Sequence, residues 1–125
     1  MPKQIIRSDN APRPAGPYSQ GILAEKFLFV AGQTGSDPKT GKLPDGVPAQ
    51  TKQTLENVKA IVEAAGATFD DVVRVGVYLT DISQFGAMNE VYKTYFTQNQ
   101  PARTTIQAAL VGQNLVEIDC IVLKP

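Results

Sequence analysis

Two charged residues, Arg103 and Glu117, stand in a stretch of sequence that otherwise suits a buried β-sheet. The stretch runs over residues 101–119, with Arg103 at the start of one predicted strand and Glu117 inside the next. Since the chain has no histidine, Ser-His and Cys-His nucleophile pairs, histidine-containing metal sites and the usual base for RNA cleavage are excluded. Any proton transfer therefore falls to Glu, Asp, Tyr, Lys or water, and we expect the chemistry in this stretch.

Both charges also have plainer explanations. Arg103 at a strand start could be one partner of a surface ion pair, and Glu117 could belong to the polar face of an edge strand. The single cysteine, Cys120, cannot form an internal disulfide and falls in an apolar alternation. We expect it to be buried filler.

The composition limits the classes of partner. The chain has 125 residues, with acidic and basic residues balanced at 12 each. This length predicts a single domain over residues 1–125 with its own core, and the balance gives no long-range field that favours nucleic acid or an anionic membrane. No apolar run approaches the roughly 20 residues of a membrane span, and the N-terminus lacks the layout of a secretory signal. We expect a cytoplasmic protein that binds neither nucleic acid nor membrane.

The sequence of the first third of the chain predicts β-strands on either side of a stiff loop. Residues 3–9 form a short strand candidate, and three prolines within residues 12–17 hold the chain extended. Tyr18 closes this loop, either as a packing anchor or as part of a site. Residues 18–24 and 27–34 then predict a hairpin, in which Gly32 marks either a plain bulge or a close approach by a ligand or another backbone.

Two amphipathic helices are predicted in the middle of the chain. From about Ala49 the apolar positions recur at spacings of three and four: Leu55, Val58, Val62 and Ala65. Gly66 ends this helix, and a valine-rich strand follows over residues 72–80. The second helix begins after Asp81 and runs to about residue 97. Asn89 lies at the margin of its apolar stripe, as a surface residue or as a hydrogen-bonding group across a subunit contact.

The last two predicted strands complete the fold. They cover about residues 103–111 and 115–123, joined as a hairpin by a short turn at Gly112. The element order is then β-β-β-α-β-α-β-β, which predicts an α+β two-layer sandwich with both helices on one face of a single mixed β-sheet. The other face carries aliphatic side chains and implies a partner. Self-association is the economical answer.

Short tracts throughout the chain resemble one known family. They are GPYSQ at 16–20, GQ at 32–33, DPKTG at 37–41, LENV at 55–58, MNEVY at 88–92, PAR at 101–103 and VEI at 116–118. In this order they are similar to the reactive intermediate deaminases, the Rid or YjgF family. The resemblance implies a chorismate-mutase-like fold and a homotrimer with clefts between subunits. It also implies hydrolysis of 2-imino acids, formed from 2-enamino acids, to 2-keto acids and ammonia without a cofactor or metal.

The resemblance also assigns roles to individual residues. Arg103 falls on the family's substrate-carboxylate arginine, whose planar fork suits bidentate binding, and Glu117 falls on the acidic residue that orients or activates water. Tyr18 matches the family's site tyrosine. The remaining positions match substrate-binding residues: Ala31, Gly32, Asn89 and Thr105. Ala31 stands where a serine is common in the family, so one hydroxyl contact to the substrate carboxylate is absent.

Strand geometry sets a condition on this site. Residues 103, 105 and 107 share one face of their strand, and directly opposed residues of a hairpin share a face too. Glu117 therefore joins the face of Arg103 only if the connection at Gly112 has three residues or contains a bulge, and we expect one. The alternative function is a non-catalytic protein that binds a 2-keto acid or similar metabolite in the same cleft. It also uses Arg103, so only turnover separates the two.

Overall fold

The helices and strands follow the predicted order. The computed structural model describes residues 2–125. The strands are β1 (Gln4–Ile6), β2 (Gly21–Ala24), β3 (Phe27–Gln33), β4 (Val72–Leu79), β5 (Ala102–Gln107) and β6 (Val116–Leu123), and the helices are α1 (Val47–Ala64) and α2 (Phe85–Tyr95). The strands form one mixed sheet in the order β1-β2-β3-β6-β4-β5. Both helices pack on one face of this sheet, which confirms the predicted α+β sandwich.

The core lies between the helices and the sheet. Along β6, side chains alternate between buried and partly exposed with a period of two, as a strand with one covered face requires. Its buried side chains include Cys120, which confirms the predicted filler role. The largest fully buried side chains come from both helices and the central strands: Leu28, Leu55, Ile61, Leu79, Met88 and Ile118.

The predicted hairpin of the last two strands is wrong. β4 lies between β5 and β6, parallel to β5 and antiparallel to β6. β4 takes the central place because its side chains Val75, Val77 and Leu79 are fully buried, whereas the side chains of β5 are partly or fully exposed, as suits an edge strand. Residues 108–115 therefore cross over the end of β4 instead of making a tight turn.

This topology places Arg103 and Glu117 on opposite faces of the sheet. Arg103 is paired with Val75, whose side chain is buried under the helices, and Glu117 is paired with Tyr78, three residues further along the same strand. Because side chains alternate along a strand, Arg103 points to the helix side and Glu117 to the face without helices. The expectation that an odd connection at Gly112 brings both to one face is wrong.

The face without helices, called the open face below, carries large exposed hydrophobic side chains. Phe29 is 46% exposed and lies in a row with Ile5, Ile22 and Ile121, one from each of four neighbouring strands. Leu123 adds to this surface. Apolar surface of this kind marks an interaction site. Within the described residues, neither helix is long and apolar enough to cross a membrane.

Candidate functional site

Arg103 lies on the edge strand β5 and is held by side chains of α2. Its Nη1 donates a hydrogen bond to Asn89 Oδ1 at 2.8 Å. Its guanidinium carbon lies 4.6 Å from the ring centroid of Tyr92 and 5.4 Å from that of Phe85. The helix presents these three side chains together because spacings of three and four place them on one face. No carboxylate within residues 2–125 pairs with Arg103, so the surface ion pair considered for it is not formed there.

Two hydroxyl groups on the same side of the sheet lack hydrogen-bond partners. Thr105 Oγ1 and Tyr92 Oη are buried, and neither has a partner in the described part of the chain. Thr105 follows Arg103 by two positions on β5 and shares its face. Burial raises the pKa of Tyr92 to about 12, so its hydroxyl stays protonated. A buried polar group without a partner costs about 1–3 kcal/mol, which a polar ligand beside Arg103 would offset.

The open side of the sheet carries a cleft lined by Tyr18, Gly32 and Glu117. This cleft has a volume of about 530 Å³, and Arg13 and Val111 also line it. Tyr18 is 51% exposed, and its hydroxyl accepts a hydrogen bond from the backbone N–H of residue 15 at 3.1 Å. Its ring is therefore presented to the cleft and is not a buried packing anchor.

Gly32 lies at an irregularity between β3 and β6 and has no room for a side chain. The register of the two strands shifts between Val30 and Gln33, as a bulge predicts. A Cβ on Gly32 would press against the carboxylate of Glu117, 2.9 Å from its Cδ. The register shift confirms the bulge interpretation of Gly32. The group that approaches Gly32 closely is a side chain of the same protein, not the ligand or backbone that the other interpretation named. The neighbouring Ala31 is fixed by a backbone hydrogen bond from its N–H to Gln20 O at 2.9 Å.

Glu117 is half-buried at the cleft, and its side chain makes no hydrogen bond to any residue in the range 2–125. Burial, and then the charge of Asp119 two positions along β6, raise the pKa of Glu117. A carboxylate with a raised pKa is a stronger proton acceptor once it is ionised. The side chain can therefore orient water or accept its proton.

Sequence reasoning missed the buried amide that holds the loop carrying Tyr18. The side-chain nitrogen of Gln20 donates to Pro12 O at 2.9 Å, and its side-chain oxygen accepts from the N–H of Ser8 at 2.7 Å. Gln20 is 4% exposed. These hydrogen bonds link the proline-rich loop to the start of β2, so the backbone that carries Arg13 and Tyr18 is held in place.

Two further buried amides on α1 hold the other loops at the cleft. Asn57 Nδ2 donates to Thr34 O and Ser36 O, both at 2.9 Å. Gln50 Oε1 accepts from the N–H of Leu115 at 2.9 Å. The two amides lie seven residues apart, so they face the same side of α1. This polar interruption of a buried helix face is the signal that could have identified them.

The predicted site residues thus form two groups. Asn89, Arg103 and Thr105 lie together on the helix side of β5. Tyr18, Gly32 and Glu117 lie together at the cleft on the open side, with Ala31 beside Gly32. One group offers a fixed cation and the other a carboxylate, and the sheet separates them within one chain.

Comparison with known proteins identifies the family of the chain. Residues 8–124 match the model of the family described as Endoribonuclease L-PSP. The chain is 49% identical over 124 residues to a RutC family protein of Pyrococcus horikoshii, covering 98% of each chain. It is 44% identical over 124 residues to the 2-iminobutanoate/2-iminopropanoate deaminase of Rattus norvegicus, covering 98% of this chain and 90% of the rat protein. The crystal structure of E. coli TdcF with bound serine superimposes with a TM-score of 0.93 at 39% identity, covering 98% of this chain and 99% of that one. The chain therefore belongs to the L-PSP family, also called the Rid or YjgF family.

Proposed function

We propose that this protein hydrolyses 2-imino acids, formed from reactive 2-enamino acids, to 2-keto acids and ammonia. The rat relative named for deamination of 2-iminobutanoate and 2-iminopropanoate supports this activity. The observation that carries the proposal is Arg103, a guanidinium fixed by Asn89 and Tyr92 with no carboxylate partner within residues 2–125. Its fork of donors suits the carboxylate that every 2-imino acid carries.

The proposed site lies between two copies of the chain. Because Arg103 and Glu117 point to opposite faces of one sheet, a small ligand that contacts both requires them from different chains. The two contributing surfaces differ, so the contact is head-to-tail, and such contacts form a ring when the rotation between neighbouring chains closes. A homotrimer meets this requirement with three equivalent sites. Its assembly would also cover exposed hydrophobic side chains of the open face, such as Phe29.

The chemistry assigns one task to each group. On one chain, Arg103 binds the substrate carboxylate with help from Thr105 and Asn89. On the neighbouring chain, Glu117 orients a water molecule toward the imine carbon and accepts its proton. The oxygen of water bonds to the carbon, and the nitrogen takes up the proton that Glu117 accepted, which gives a carbinolamine and restores the carboxylate. The hydroxyl proton then passes to the nitrogen as the carbon–nitrogen bond breaks, so ammonia leaves and the oxygen of water remains as the keto group. An imine carbon is already electrophilic, so the reaction proceeds with no cofactor.

Tyr18, Gly32 and Ala31 shape the second half of the proposed site. Tyr18 contributes a hydroxyl and an exposed ring, and Gly32 allows the backbone of β3 to come close to the ligand. Ala31 supplies no hydroxyl, and the missing neutral hydrogen bond costs about 0.5–1.5 kcal/mol of binding. This is less than the charge-assisted contact of Arg103, so activity survives.

The test is ammonia release from 2-iminopropanoate and 2-iminobutanoate generated by an amino-acid dehydratase. Rates above the protein-free background are compared for the parent, Arg103→Ala and Glu117→Ala. We expect acceleration by the parent and loss of it in both variants. Equal rates in the parent and Arg103→Ala would contradict the proposal. A parent that binds 2-oxobutanoate calorimetrically without accelerating imine loss would instead be a metabolite-binding protein.

A further inference from the structure

Glu117 belongs to a polar group on the open face that also contains Tyr78 and Asp119. Tyr78 on β4 is directly paired with Glu117 on β6, and directly paired residues are the closest cross-strand neighbours. The Tyr78 hydroxyl nevertheless donates its hydrogen bond diagonally, to Asp119 Oδ2 at 2.9 Å. The hydroxyl of the residue directly paired with Glu117 is therefore bonded to another carboxylate.

Gly76 makes this diagonal bond sterically possible. It is the cross-strand partner of Asp119. A Cβ at this position would lie 2.5 Å from Asp119 Oδ1 and 2.9 Å from Tyr78 Oη. Both polar groups occupy the space above the glycine, where no other residue type leaves room for them.

The neighbours of Glu117 on both adjacent strands thus leave its carboxylate without a donor. On β3, Gly32 has no side chain and lies against it. On β4, the Tyr78 hydroxyl is engaged by Asp119. The hydrogen bond to Asp119, together with burial, raises the pKa of Tyr78, so the hydroxyl stays protonated and the bond persists through neutral pH.

We propose that Tyr78 and Asp119 are positioning residues for Glu117: their mutual hydrogen bond keeps the Tyr78 hydroxyl off the Glu117 carboxylate, whose oxygens stay open to water and ligand. The catalytic consequence rests on the proposed function. A hydrogen bond from Tyr78 to Glu117 would stabilise the ionised carboxylate and weaken it as a base. Engaging Tyr78 elsewhere preserves the proton-accepting strength of Glu117.

Several titratable or charged groups face this region. β6 supplies Asp119, β4 supplies Tyr78 and Arg74, and the loop before β2 supplies Arg13 and Tyr18. Beside burial, the charge of Asp119 is the cause of the raised pKa of Glu117. Removing Asp119 therefore has two effects in the same direction: it removes a like charge, and it releases the Tyr78 hydroxyl toward Glu117.

A double-mutant cycle separates these two effects. The pH midpoint of the titration of the Glu117 carboxyl carbon is measured by ¹³C NMR in the ligand-free protein. The resonance is assigned because its titration is absent from Glu117→Gln. We expect the midpoint to fall in Asp119→Ala, which removes both the charge and the acceptor, and not to fall in Tyr78→Phe. In Asp119→Ala combined with Tyr78→Phe it should rise above that of Asp119→Ala alone, because the released hydroxyl is gone. Equal midpoints in the double variant and Asp119→Ala would overturn the proposal, as would a fall in Tyr78→Phe.

The same variants give a second readout in turnover. The acid limb of kcat/KM should move to lower pH in Asp119→Ala and move back when Tyr78→Phe is added. A merely structural role would lower activity at every pH without moving the limb, and would overturn the proposal. If the parent shows no deaminase activity, the proposed function fails, and the NMR cycle still decides whether Tyr78 and Asp119 position Glu117.

Discussion

Replacing Arg103 with lysine keeps the positive charge and removes the planar fork of donors. Arg103 stacks 4.6 Å from the Tyr92 ring centroid and donates to Asn89 Oδ1 at 2.8 Å. A lysine ammonium is a compact point charge on a flexible stem and has no flat face to stack on an aromatic ring. Arg103→Lys therefore tests whether the site needs only a cation or a guanidinium held in one orientation.

The expected loss follows from the contacts that lysine cannot reproduce. One charge-assisted hydrogen bond to the substrate carboxylate contributes about 1.5–3 kcal/mol. The stacking on Tyr92 contributes about 0.5–1 kcal/mol to holding the group in place. A total on the order of 2–4 kcal/mol predicts a roughly 30- to 700-fold fall in kcat/KM, since each 1.4 kcal/mol is a factor of ten.

The assay is the initial rate of 2-iminobutanoate loss at substrate concentrations well below KM, corrected for the protein-free rate. The matched control is Arg7→Lys, which changes an exposed arginine directly after β1 and outside both groups of site residues. Its kcat/KM should stay within about twofold of the parent's, as for most surface substitutions. An Arg103→Lys protein with the parent's kcat/KM would refute the carboxylate-binding role, and an equal loss in both variants would show a non-specific effect.

Two further substitutions test the cleft side of the site. Gly32→Ala places a Cβ against the Glu117 carboxylate and should lower kcat/KM on the order of 100-fold, because the carboxylate is displaced. The control is Gly86→Ala, since nothing lies within 4 Å of a Cβ at that position. Equal kcat/KM values for Gly32→Ala and Gly86→Ala would contradict the close approach of Glu117 to Gly32. Because the pKa of Glu117 is raised above its ordinary value of 4.5, the parent loses stability as pH rises from about that value through the folded-state pKa. Glu117→Gln should therefore have a larger free energy of unfolding than the parent at neutral pH, measured with denaturant, and the difference should disappear below pH 4.5. A variant less stable than the parent at neutral pH would show that burial of the ionised Glu117 carboxylate does not destabilise the fold.

Periodicity was enough to predict the element order and the covered sheet face. The three- and four-residue spacing of apolar side chains marked both helices, and the alternation around Cys120 marked a strand with one buried face. The irregularity at Gly32 was also foreseeable, because a glycine inside a run of large apolar residues leaves a gap that something must approach. These features depend on near neighbours in sequence.

The features that failed or were missed depend on distant residues. Strands that follow each other in sequence often pair, which favoured a hairpin of β5 and β6. In the structure β4 lies between them, so Arg103 and Glu117 point to opposite faces of the sheet. The amide of Gln50 meets the backbone of Leu115, 65 residues away. A polar residue on the buried face of α1 can be seen in the sequence, but the distant backbone that it contacts cannot. The division of the site residues between two faces became visible only from the strand order.

The most direct test of a site shared between two chains is complementation. Arg103→Ala and Glu117→Ala chains, each inactive alone, are unfolded together in equal amounts, refolded and assayed for imine hydrolysis. In a ring with sites between neighbours, random mixing gives about a quarter of the sites an intact Arg103 and an intact Glu117. We expect recovery of about a quarter of the parent's activity. A mixture that stays as inactive as its two components would contradict it.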